Sequence, residues 1–579
     1  MASRRRMSWP PIAIGAVLTI GALSPSAVCA QGFGDYPVIY RPAKDAKDLR
    51  SVLFNWPWYM GMLRGVDEHE LITSLEYQGK GTMQVDGQPC TLTKYRVSTN
   101  YQYPGQRVQY TCTRSNGQTV SKIEVVNGHY AWDEDMAGAE IVAGKGKATP
   151  MPDAVDERLI RLWANPQGAP KAAIAGVEGV APNAKLGANP GTLVKDGVMK
   201  AGETSLSWEN GKAVLTYPIP GVAGAIATAT LNNKYMLERV VVKHNGKTTE
   251  FTYGDYQDWN NPLNKVDALY AGKIAESHNG AVVRDLTTVQ TETGSVYVVM
   301  PVPASVRAAI HAAPAPAPVP VTPVALTASG ETPRMPNGHP DLTGNWNSSF
   351  MNWRYGNRRC DPTQQEGCSR ALNQTMDFEF EAPSRFGPSR PIYKPEFWDK
   401  VQALDMWTNK DDPVMSCQPL GVPREGPPRR IVQSANDIIF FYGEYVDGGG
   451  GYGEYRVIPT DNRKHDPTKA IESTYMGYTV GRWEGDTLVL DSISFVDTTW
   501  LARGGFFHSD QMHVIEKLTR KGNQILYEVT VDDPEVLAEP WVMTPRVLDI
   551  SNFPDAGLLR ERGNCEVYET KDISSQIRH

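Results

Sequence analysis

The chain has 579 residues, which at roughly 100–200 residues per domain is enough for two to four domains that each bury a core. Its 58 Lys and Arg and 65 Asp and Glu residues are interspersed and give a formal net charge of -7, so the sequence lacks the basic face of a nucleic-acid-binding protein. Gly (52), Pro (43) and Tyr (25) are abundant, which favours a turn-rich, mainly β protein over a helical bundle.

The N-terminus has the pattern of an export signal. Three arginines, Arg4 to Arg6, precede a short apolar run, and small residues follow, so residues 1–30 are predicted to be a signal peptide cleaved after Ala30. The run is too short and too interrupted by Pro for a stable membrane span. The arginines fit a twin-arginine signal as well as a general secretory (Sec) signal, and both remain open. The mature protein is therefore expected to be periplasmic or secreted.

An even number of cysteines remains once Cys29 leaves with the signal peptide. In an exported chain this favours disulfides over metal binding. The order along the chain suggests the pairs Cys90–Cys112, Cys360–Cys368 and Cys417–Cys565.

An Ala/Pro-rich stretch divides the mature chain. Alternating Ala and Pro from Ala312 to Pro333 form neither a helix nor a ladder and predict an extended spacer. We therefore expect an N-terminal domain over 31–305, a linker over 306–335 and a C-terminal domain over 336–579.

The N-terminal domain is predicted to be a β-meander with helices. A helical patch at Leu49–Leu63 precedes strand-like runs separated by Asp-Gly, Pro-Gly and Asn-Gly turns, which are hairpin signals. A helix at Ala154–Ala164, with Asp153 as its N-cap, separates these runs from further strands. The order of meander, helix and meander resembles the half-barrel of periplasmic lipoprotein carriers, in pattern alone.

The C-terminal domain is predicted to be a lipocalin-like antiparallel barrel. Gly344-Asn345-Trp346 resembles the Gly-x-Trp signature of lipocalin-like barrels, in which the Trp closes one end. A helix is expected near PEFWDKVQALDMW, and the rest reads as strands. Small barrels of this kind commonly hold one small apolar ligand.

Longer motifs in this domain carry a second resemblance. PDLTGNW, SCQPLGVPR, GRWEGDTLVLDS, HSDQMHVIEK and VTVDDP, in this order, are similar to a large family of exported bacterial proteins that is mostly uncharacterised. The resemblance covers about 240 residues of this 579-residue chain and implies export rather than a particular activity.

The stretch HSDQMHVIEK holds the predicted site. Taken as the first strand of a hairpin that turns near Gly522, its period-2 alternation directs Glu516 inward among apolar residues and His513 outward. If the strand extends back, Asp510 and His508 share the inward face. A buried lone carboxylate is unfavourable, so Glu516 must be paired or neutral.

Three interpretations of Glu516 remain open. It can form a buried structural ion pair, for which Arg482 is a candidate partner. It can act as a general acid or base with Asp510 or His508, with His513 and Arg482 completing the catalytic set. It can also lie on a solvated surface strand.

The surrounding residues suggest pocket walls rather than a metal centre. Asp497 and Trp500 lie on a predicted loop, and Trp483 and Tyr478 lie on the strand that carries Arg482. A metal site is not expected, because His513 lies opposite the other candidate ligands, and no motif for an organic cofactor is present.

Three functions fit the sequence. The first is an exported, cofactor-free enzyme, such as a lyase, hydratase, isomerase or hydrolase, that acts on a small hydrophobic or aromatic molecule by acid–base chemistry. The second is a non-catalytic carrier of a lipid or hydrophobic ligand, and the third is an envelope scaffold. The sequence does not indicate an oligomeric state.

Overall fold

The computed structural model describes most of both predicted domains. The described residues are 42–64, 69–70, 74–101, 104–178, 203–259, 269–294, 296–310, 326–348, 390–404, 411–442, 454–502, 505–543 and 545–551. The predicted signal peptide and the centre of the predicted linker lie outside them, so both stay predictions.

A long antiparallel sheet forms the first half of the structure, and the mainly β fold is confirmed. Its strand order is β8-β7-β6-β5-β4-β3-β15-β14-β13-β12-β11-β10-β9, and a separate β1–β2 pair precedes it. The strands are β1 Leu63–Arg64, β2 His69–Glu70, β3 Ser74–Val85, β4 Gln88–Asn100, β5 Gly105–Arg114, β6 Thr119–Asn127, β7 Tyr130–Glu134, β8 Ala148–Pro150, β9 Ser205–Glu209, β10 Lys212–Pro218, β11 Ile226–Leu231, β12 Leu237–His244, β13 Lys247–Asp258, β14 Leu269–His278 and β15 Ala281–Gly294.

Two-residue turns fix the register of several hairpins in this sheet. Asp86-Gly87 joins β3 to β4, Asn245-Gly246 joins β12 to β13, and Asn279-Gly280 joins β14 to β15. Both residues of each turn have positive φ, which Asn, Asp and Gly tolerate best. The Asp-Gly signal at Asp86-Gly87 therefore predicted the first of these hairpins, and the two Asn-Gly turns have the same chemistry.

The sheet curves around helices that cover its concave face. Arg158 of the second helix donates to the backbone oxygens of Val125 and Trp132 at 2.8 and 2.7 Å, while Arg161 pairs with Glu276 of β14 at 3.2 Å. One helix thus contacts strands from both sides of the sheet centre, as a half-barrel requires. The helices of this half are α1 Leu49–Tyr59, α2 Val155–Ala164, α3 Gly168–Glu178 and α4 Ala304–Ile310.

One local prediction in this half is wrong. Asp153 does not cap α2, because it lies inside a short 3-10 helix, Pro152–Ala154, that leads into α2. The N-cap residue is Ala154, which has no side chain able to accept a hydrogen bond from the helix.

A second antiparallel sheet forms a nearly closed barrel. Its order is β19-β18-β17-β16-β27-β25-β24-β21-β20, with β26 beside β25 and a separate β22–β23 pair. The strands are β16 Gly344–Ser348, β17 Arg430–Gln433, β18 Asp437–Phe441, β19 Tyr455–Pro459, β20 Tyr478–Glu484, β21 Thr487–Ile493, β22 Trp500–Ala502, β23 Phe506–Phe507, β24 His513–Lys521, β25 Gln524–Asp532, β26 Trp541–Val542 and β27 Arg546–Ile550. A helix, α5 Trp398–Ala403, lies within the stretch where one was expected.

Trp346, the Trp of the Gly-x-Trp pattern, is buried in the core of this barrel. It is 1% exposed, and its indole nitrogen donates to the Leu342 oxygen at 3.0 Å. The guanidinium of Arg520 lies 5.0 Å from the centre of the ring.

Residues 296–300 belong to the cores of both halves. Val296, Val298 and Met300 pack in an apolar cluster with Trp132 of the first sheet. Tyr297 and its neighbour Val299 pack in the core of the barrel. Because alternate residues of an extended segment point to opposite sides, this short stretch joins the two cores directly.

The predicted Cys90–Cys112 disulfide is confirmed, and it links β4 to β5. Cys417 is disulfide-bonded too. Its predicted partner Cys565 and the predicted Cys360–Cys368 pair lie outside the described residues. The described part of the chain contains no helix long and apolar enough to cross a membrane.

Candidate functional site

Glu516 lies inside the barrel, on the face that the sequence predicts. Along β24, Val514, Glu516 and Leu518 are fully buried, whereas Lys517 is exposed. The period-2 alternation of a half-buried strand explains why these side chains alternate between the interior and the solvent. The interpretation of Glu516 as part of a solvated surface strand is therefore wrong.

The partner of Glu516 is Arg456 of β19. Two guanidinium nitrogens donate to the two carboxylate oxygens at 2.6 and 2.8 Å, and the Tyr527 hydroxyl donates to the carboxylate as well. The Arg456 Nε donates to the Tyr442 hydroxyl at 2.7 Å. Burial is the largest effect on the pKa of Arg456 and would lower it, but Glu516, together with Tyr442 and Tyr527, raises it. Arg456 and Glu516 thus form a buried, bidentate ion pair.

Arg482 is not the partner of Glu516. The predicted buried ion pair forms, but its cation is Arg456 rather than Arg482. Along β20, Thr479 and Gly481 are buried, whereas Arg482 is 45% exposed and pairs with Glu484 at 2.9 Å. Tyr478 and Arg482 do share one face of the strand, as expected, but that face is the outer one.

His513 joins Arg482 on the outer surface of the barrel. Its Nε2 lies 2.8 Å from the Asp491 carboxylate, and an Arg482 guanidinium nitrogen lies 3.9 Å from the other Asp491 oxygen. His465 also approaches, with its Nε2 3.1 Å from the Asp491 backbone oxygen. The barrel wall therefore separates these two predicted catalytic residues from Glu516.

His508 and Asp510 do not extend the inward face of β24. The buried Asp533 carboxylate accepts from the backbone nitrogen and the hydroxyl of Ser509, at 2.7 and 2.8 Å, and so fixes a turn before the strand begins at His513. Asp510 is consequently exposed. The expected cluster of Glu516, Asp510 and His508 does not form.

His508 is a satisfied, buried histidine. It is 3% exposed, its Nε2 lies 2.7 Å from the Thr499 hydroxyl, and its Nδ1 lies 2.8 Å from the Ser509 oxygen. Burial is the main cause that lowers the pKa of His508 below its usual value of 6.5. The imidazole is therefore neutral at pH 7 and has both nitrogens engaged.

The predicted wall residues also lie apart. Trp483 stacks on His339 with ring centres 4.6 Å apart, and Trp500 is buried on β22 with the Arg424 guanidinium 5.9 Å from its ring. Asp497 is exposed. Of the four, Tyr478 alone lines the cavity described next.

A cavity of about 720 Å³ opens between β19 and β20, the two end strands of the barrel sheet. Arg456 and Thr479 lie at its inner side and approach each other to 3.5 Å. Tyr455, Val457 and Tyr478 lie among its other walls. We call this cavity the seam pocket.

Two further carboxylates, which the sequence analysis missed, lie near this charged centre. Glu425 is 8% exposed, and burial first and the Glu454 carboxylate second raise its pKa well above the usual 4.5. Each of the two carries one buried oxygen without a hydrogen-bond partner among the described residues. They come from separate loops with no shared motif, so no sequence signal identified them.

The half-barrel of the first sheet contains a second candidate site. Its apolar interior holds a belt of tyrosines from neighbouring central strands, in which Tyr77 lies 5.2 Å from Tyr270 and 6.1 Å from Tyr95, ring centre to ring centre. Tyr253 donates to the Ala164 oxygen at 2.9 Å and so links β13 to the end of α2. We call this helix-covered interior the cradle.

Four buried donors of the cradle have no hydrogen-bond partner among the described residues, namely three fully buried ones and the hydroxyl of Tyr95, which is 3% exposed. The indole nitrogen of Trp56 and the hydroxyls of Tyr217 and Tyr270 are buried, and none has a hydrogen-bond partner in the described part of the chain. All three side chains are 0% exposed and belong to one apolar cluster. Burial raises the pKa of Tyr270 well above its usual value of 10, so its hydroxyl stays a donor.

One group of side chains has the composition of a metal site. Glu157, Glu276 and His278 bring their ligand atoms within 4.8 Å of one another. However, Glu276 already pairs with Arg161 at 3.2 Å and with Arg284 at 3.3 Å. Two guanidiniums beside the central carboxylate disfavour a cation there, and we read the group as a structural ion-pair network.

Two solved structures are similar to part of this chain. A domain described as an outer membrane lipoprotein-sorting protein from Vibrio parahaemolyticus is 8% identical, has a TM-score of 0.23, and covers 42% of this chain and 91% of its own. A LolA-superfamily protein from Nitrosomonas europaea is 10% identical, has a TM-score of 0.23, and covers 43% and 94%. No protein-family model and no curated protein matches the chain. Likeness this distant does not assign a function.

Proposed function

We propose that this protein is a non-catalytic, exported carrier of a lipid or another hydrophobic molecule, which it holds in the cradle. The observation that carries the proposal is a set of buried donors, Trp56, Tyr217 and Tyr270 with Tyr95, that lie in an apolar interior and have no partner among the described residues. A buried polar group without a hydrogen bond costs about 1–3 kcal/mol. Mostly apolar walls with a few polar groups are also the usual composition of a small-molecule site.

The donors restrict the chemistry of the ligand. An indole N–H can only donate, and a phenol that keeps its proton donates readily, so the complementary groups are acceptor oxygens. The surroundings of these side chains are apolar. An apolar body with carbonyl, ester or ether oxygens therefore fits better than a strongly charged molecule. Ordered water is the competing occupant.

The arrangement of the predicted catalytic residues also favours a carrier over an enzyme. Glu516 is held by Arg456 and Tyr527, and His508 has both nitrogens engaged. General acid–base catalysis needs a titratable group within hydrogen-bond reach of a substrate. Arg482 and His513 lie on the outer surface, so the set shares no enclosed volume.

One observation keeps an enzyme as the second candidate. Glu425 is a buried carboxyl whose pKa is raised by burial and by Glu454, which is the condition expected of a general acid. Glu425 is not among the residues that line the seam pocket, although Arg456, which does line it, lies close enough to affect its pKa. Turnover that is abolished by Glu425→Gln, while ligand retention in the cradle is unaffected, would favour this candidate.

The test is native mass spectrometry of protein purified from its own periplasm, followed by extraction with organic solvent. We expect a co-purified apolar molecule with acceptor oxygens. Tyr270→Phe and Tyr217→Phe remove an unpartnered hydroxyl, so they should weaken retention of that molecule without destabilising the ligand-free protein. Tyr253→Phe is the matched control, because its hydroxyl already donates to Ala164 and its loss should leave retention unchanged.

Two results would count against the carrier. An empty protein that also fails to bind a dansyl-labelled fatty acid would overturn it. Retention that is equal in wild type, Tyr270→Phe and Tyr217→Phe would show that water, rather than the ligand, bonds these hydroxyls.

A further inference from the structure

The seam pocket is separate from the cradle and built from different strands. The end strands β19 and β20 come close at one point, where a Cβ added to Gly481 would lie 3.1 Å from the Pro459 oxygen. Farther along, they leave about 720 Å³ between them. This volume lies within the roughly 300–1,000 Å³ of sites for small organic molecules.

Hydrogen bonds hold the outer wall of the pocket in place. The segment that follows β19 is fastened by His465, whose Nε2 lies 3.2 Å from the Tyr478 oxygen, and by Ser494, whose hydroxyl donates to the Ala470 oxygen at 2.8 Å. The Thr474 nitrogen donates to the Ser494 oxygen at 3.0 Å. The pocket is therefore preformed, which lowers the ordering cost of binding.

The rim of the pocket exposes apolar side chains. Tyr455 is 61% exposed and Val457 is 58% exposed, although both lie on a β-strand. Met476 and Pro419 add apolar surface to the lining. Exposed apolar side chains that adjoin a cavity, rather than being scattered singly, are typical of a binding site.

Three basic residues and one acidic residue line the pocket, and two of the basic residues are already paired. Arg456, Arg463 and Lys469 line it, against the single acidic residue Asp437. Arg456 is neutralised by Glu516, and Arg463 by Asp461 at 2.5 Å. Lys469 forms no ion pair in the described part of the chain, so it is the lining cation that an anion would approach, with the Asp437 carboxylate as the opposing charge.

We propose that the seam pocket binds an amphipathic anion, that is, an apolar or aromatic body with one carboxylate or sulfonate group. The body would contact Val457, Tyr455 and Met476, and the anionic group would lie near Lys469. This site does not depend on the cradle, because no residue of one lines the other.

The probe is anilinonaphthalene sulfonate, which combines an aromatic body with one sulfonate and fluoresces when bound. We expect saturable binding of one molecule per chain at this pocket. Val457→Glu places a like charge at the rim and should weaken binding about fivefold or more, the effect of a charge within about 6 Å at a wet surface. Lys469→Glu should weaken it similarly.

Val282→Glu is the matched control, because Val282 is also 58% exposed and lies on a strand of the other sheet. Since both substitutions are at exposed positions, folding should be unaffected, which thermal denaturation checks. Tyr270→Phe, in the cradle, should leave the affinity for the probe unchanged.

Loss of affinity in both seam variants, with retention in Val282→Glu and Tyr270→Phe, would support the proposal. Equal affinity in Val457→Glu, Lys469→Glu and wild type would overturn it. A loss of affinity confined to Tyr270→Phe would overturn it as well, because it would show that the probe binds in the cradle.

Discussion

The buried Arg456–Glu516 pair makes a sharp stability prediction. Glu516→Gln keeps the shape of the side chain but leaves the Arg456 guanidinium, 4% exposed, without a counter-charge. Removing one partner of a buried ion pair typically costs about 3–5 kcal/mol. We therefore expect Glu516→Gln to lower the free energy of unfolding in urea by that amount at pH 7.

The matched control is Glu484→Gln. Glu484 pairs with Arg482 at the same type of contact, but the two side chains are 53% and 45% exposed. A surface pair of this kind contributes about 0–1 kcal/mol. The difference between two Glu→Gln substitutions in one barrel then isolates the effect of burial.

The double variant Arg456→Met with Glu516→Leu tests the reasoning further. Replacing both buried charges by apolar groups is often neutral or stabilising by about 1–4 kcal/mol. We expect the double variant to be more stable than Glu516→Gln alone, even though the Tyr442 and Tyr527 hydroxyls lose partners. A loss below about 1 kcal/mol in Glu516→Gln would refute the assignment of an uncompensated charge.

Three further predictions concern pH and the disulfide. Burial raises the pKa of Glu276, but its two neighbouring guanidiniums outweigh burial and hold it well below 4.5. Stability present at neutral pH should therefore fall as pH drops below about 4, and the free energy of unfolding of Glu276→Gln should depend less on pH in this range. The pKa of Glu425 is raised rather than lowered, so stability should fall as pH rises through that pKa. Glu425→Gln should therefore be more stable than wild type at pH 8, by about 1 kcal/mol or more. Replacing Cys90 and Cys112 by Ser, 22 positions apart, should cost about 3 kcal/mol in urea, and wild type with a reductant should match the variant.

The inward direction of Glu516 was predictable, because a half-buried strand alternates and its inward neighbours are apolar. Its partner was not predictable, because Arg456 lies 60 positions earlier on a strand at the other end of the sheet. Local pattern fixes which face a residue takes but not which strand lies across the barrel. Arg482 was the nearer choice in sequence, and its strand presents that residue to solvent.

The extension of β24 toward His508 failed for a different reason. Asp533 lies in the motif VTVDDP, 24 positions beyond Ser509, and its buried carboxylate accepts two bonds from Ser509. These bonds hold a turn between Ser509 and the start of β24 at His513, and Asp510 lies exposed in that turn. Extending the period-2 alternation of β24 back across HSDQM therefore assigns a face to residues that are not in a strand.

The hairpins of the first half were predictable from their turns, since Asp-Gly and Asn-Gly pairs carry the required backbone conformation in their own chemistry. The cradle was visible only as an excess of aromatic residues. Which hydroxyls have partners depends on distances between strands and helices, and Tyr253 with a partner and Tyr270 without one look alike in the sequence.

The segment 296–300 makes neither sheet a removable module. Its even-numbered side chains complete one core and its odd-numbered side chains complete the other. The Tyr297 hydroxyl also donates to the Pro391 oxygen at 2.8 Å and accepts from the Tyr393 nitrogen at 2.9 Å. A truncation placed at the Ala/Pro-rich stretch would leave Tyr297 of the first half exposed to solvent. The barrel core would lose the side chains of Tyr297 and Val299. The two halves should therefore unfold in one cooperative thermal transition rather than as two independent domains.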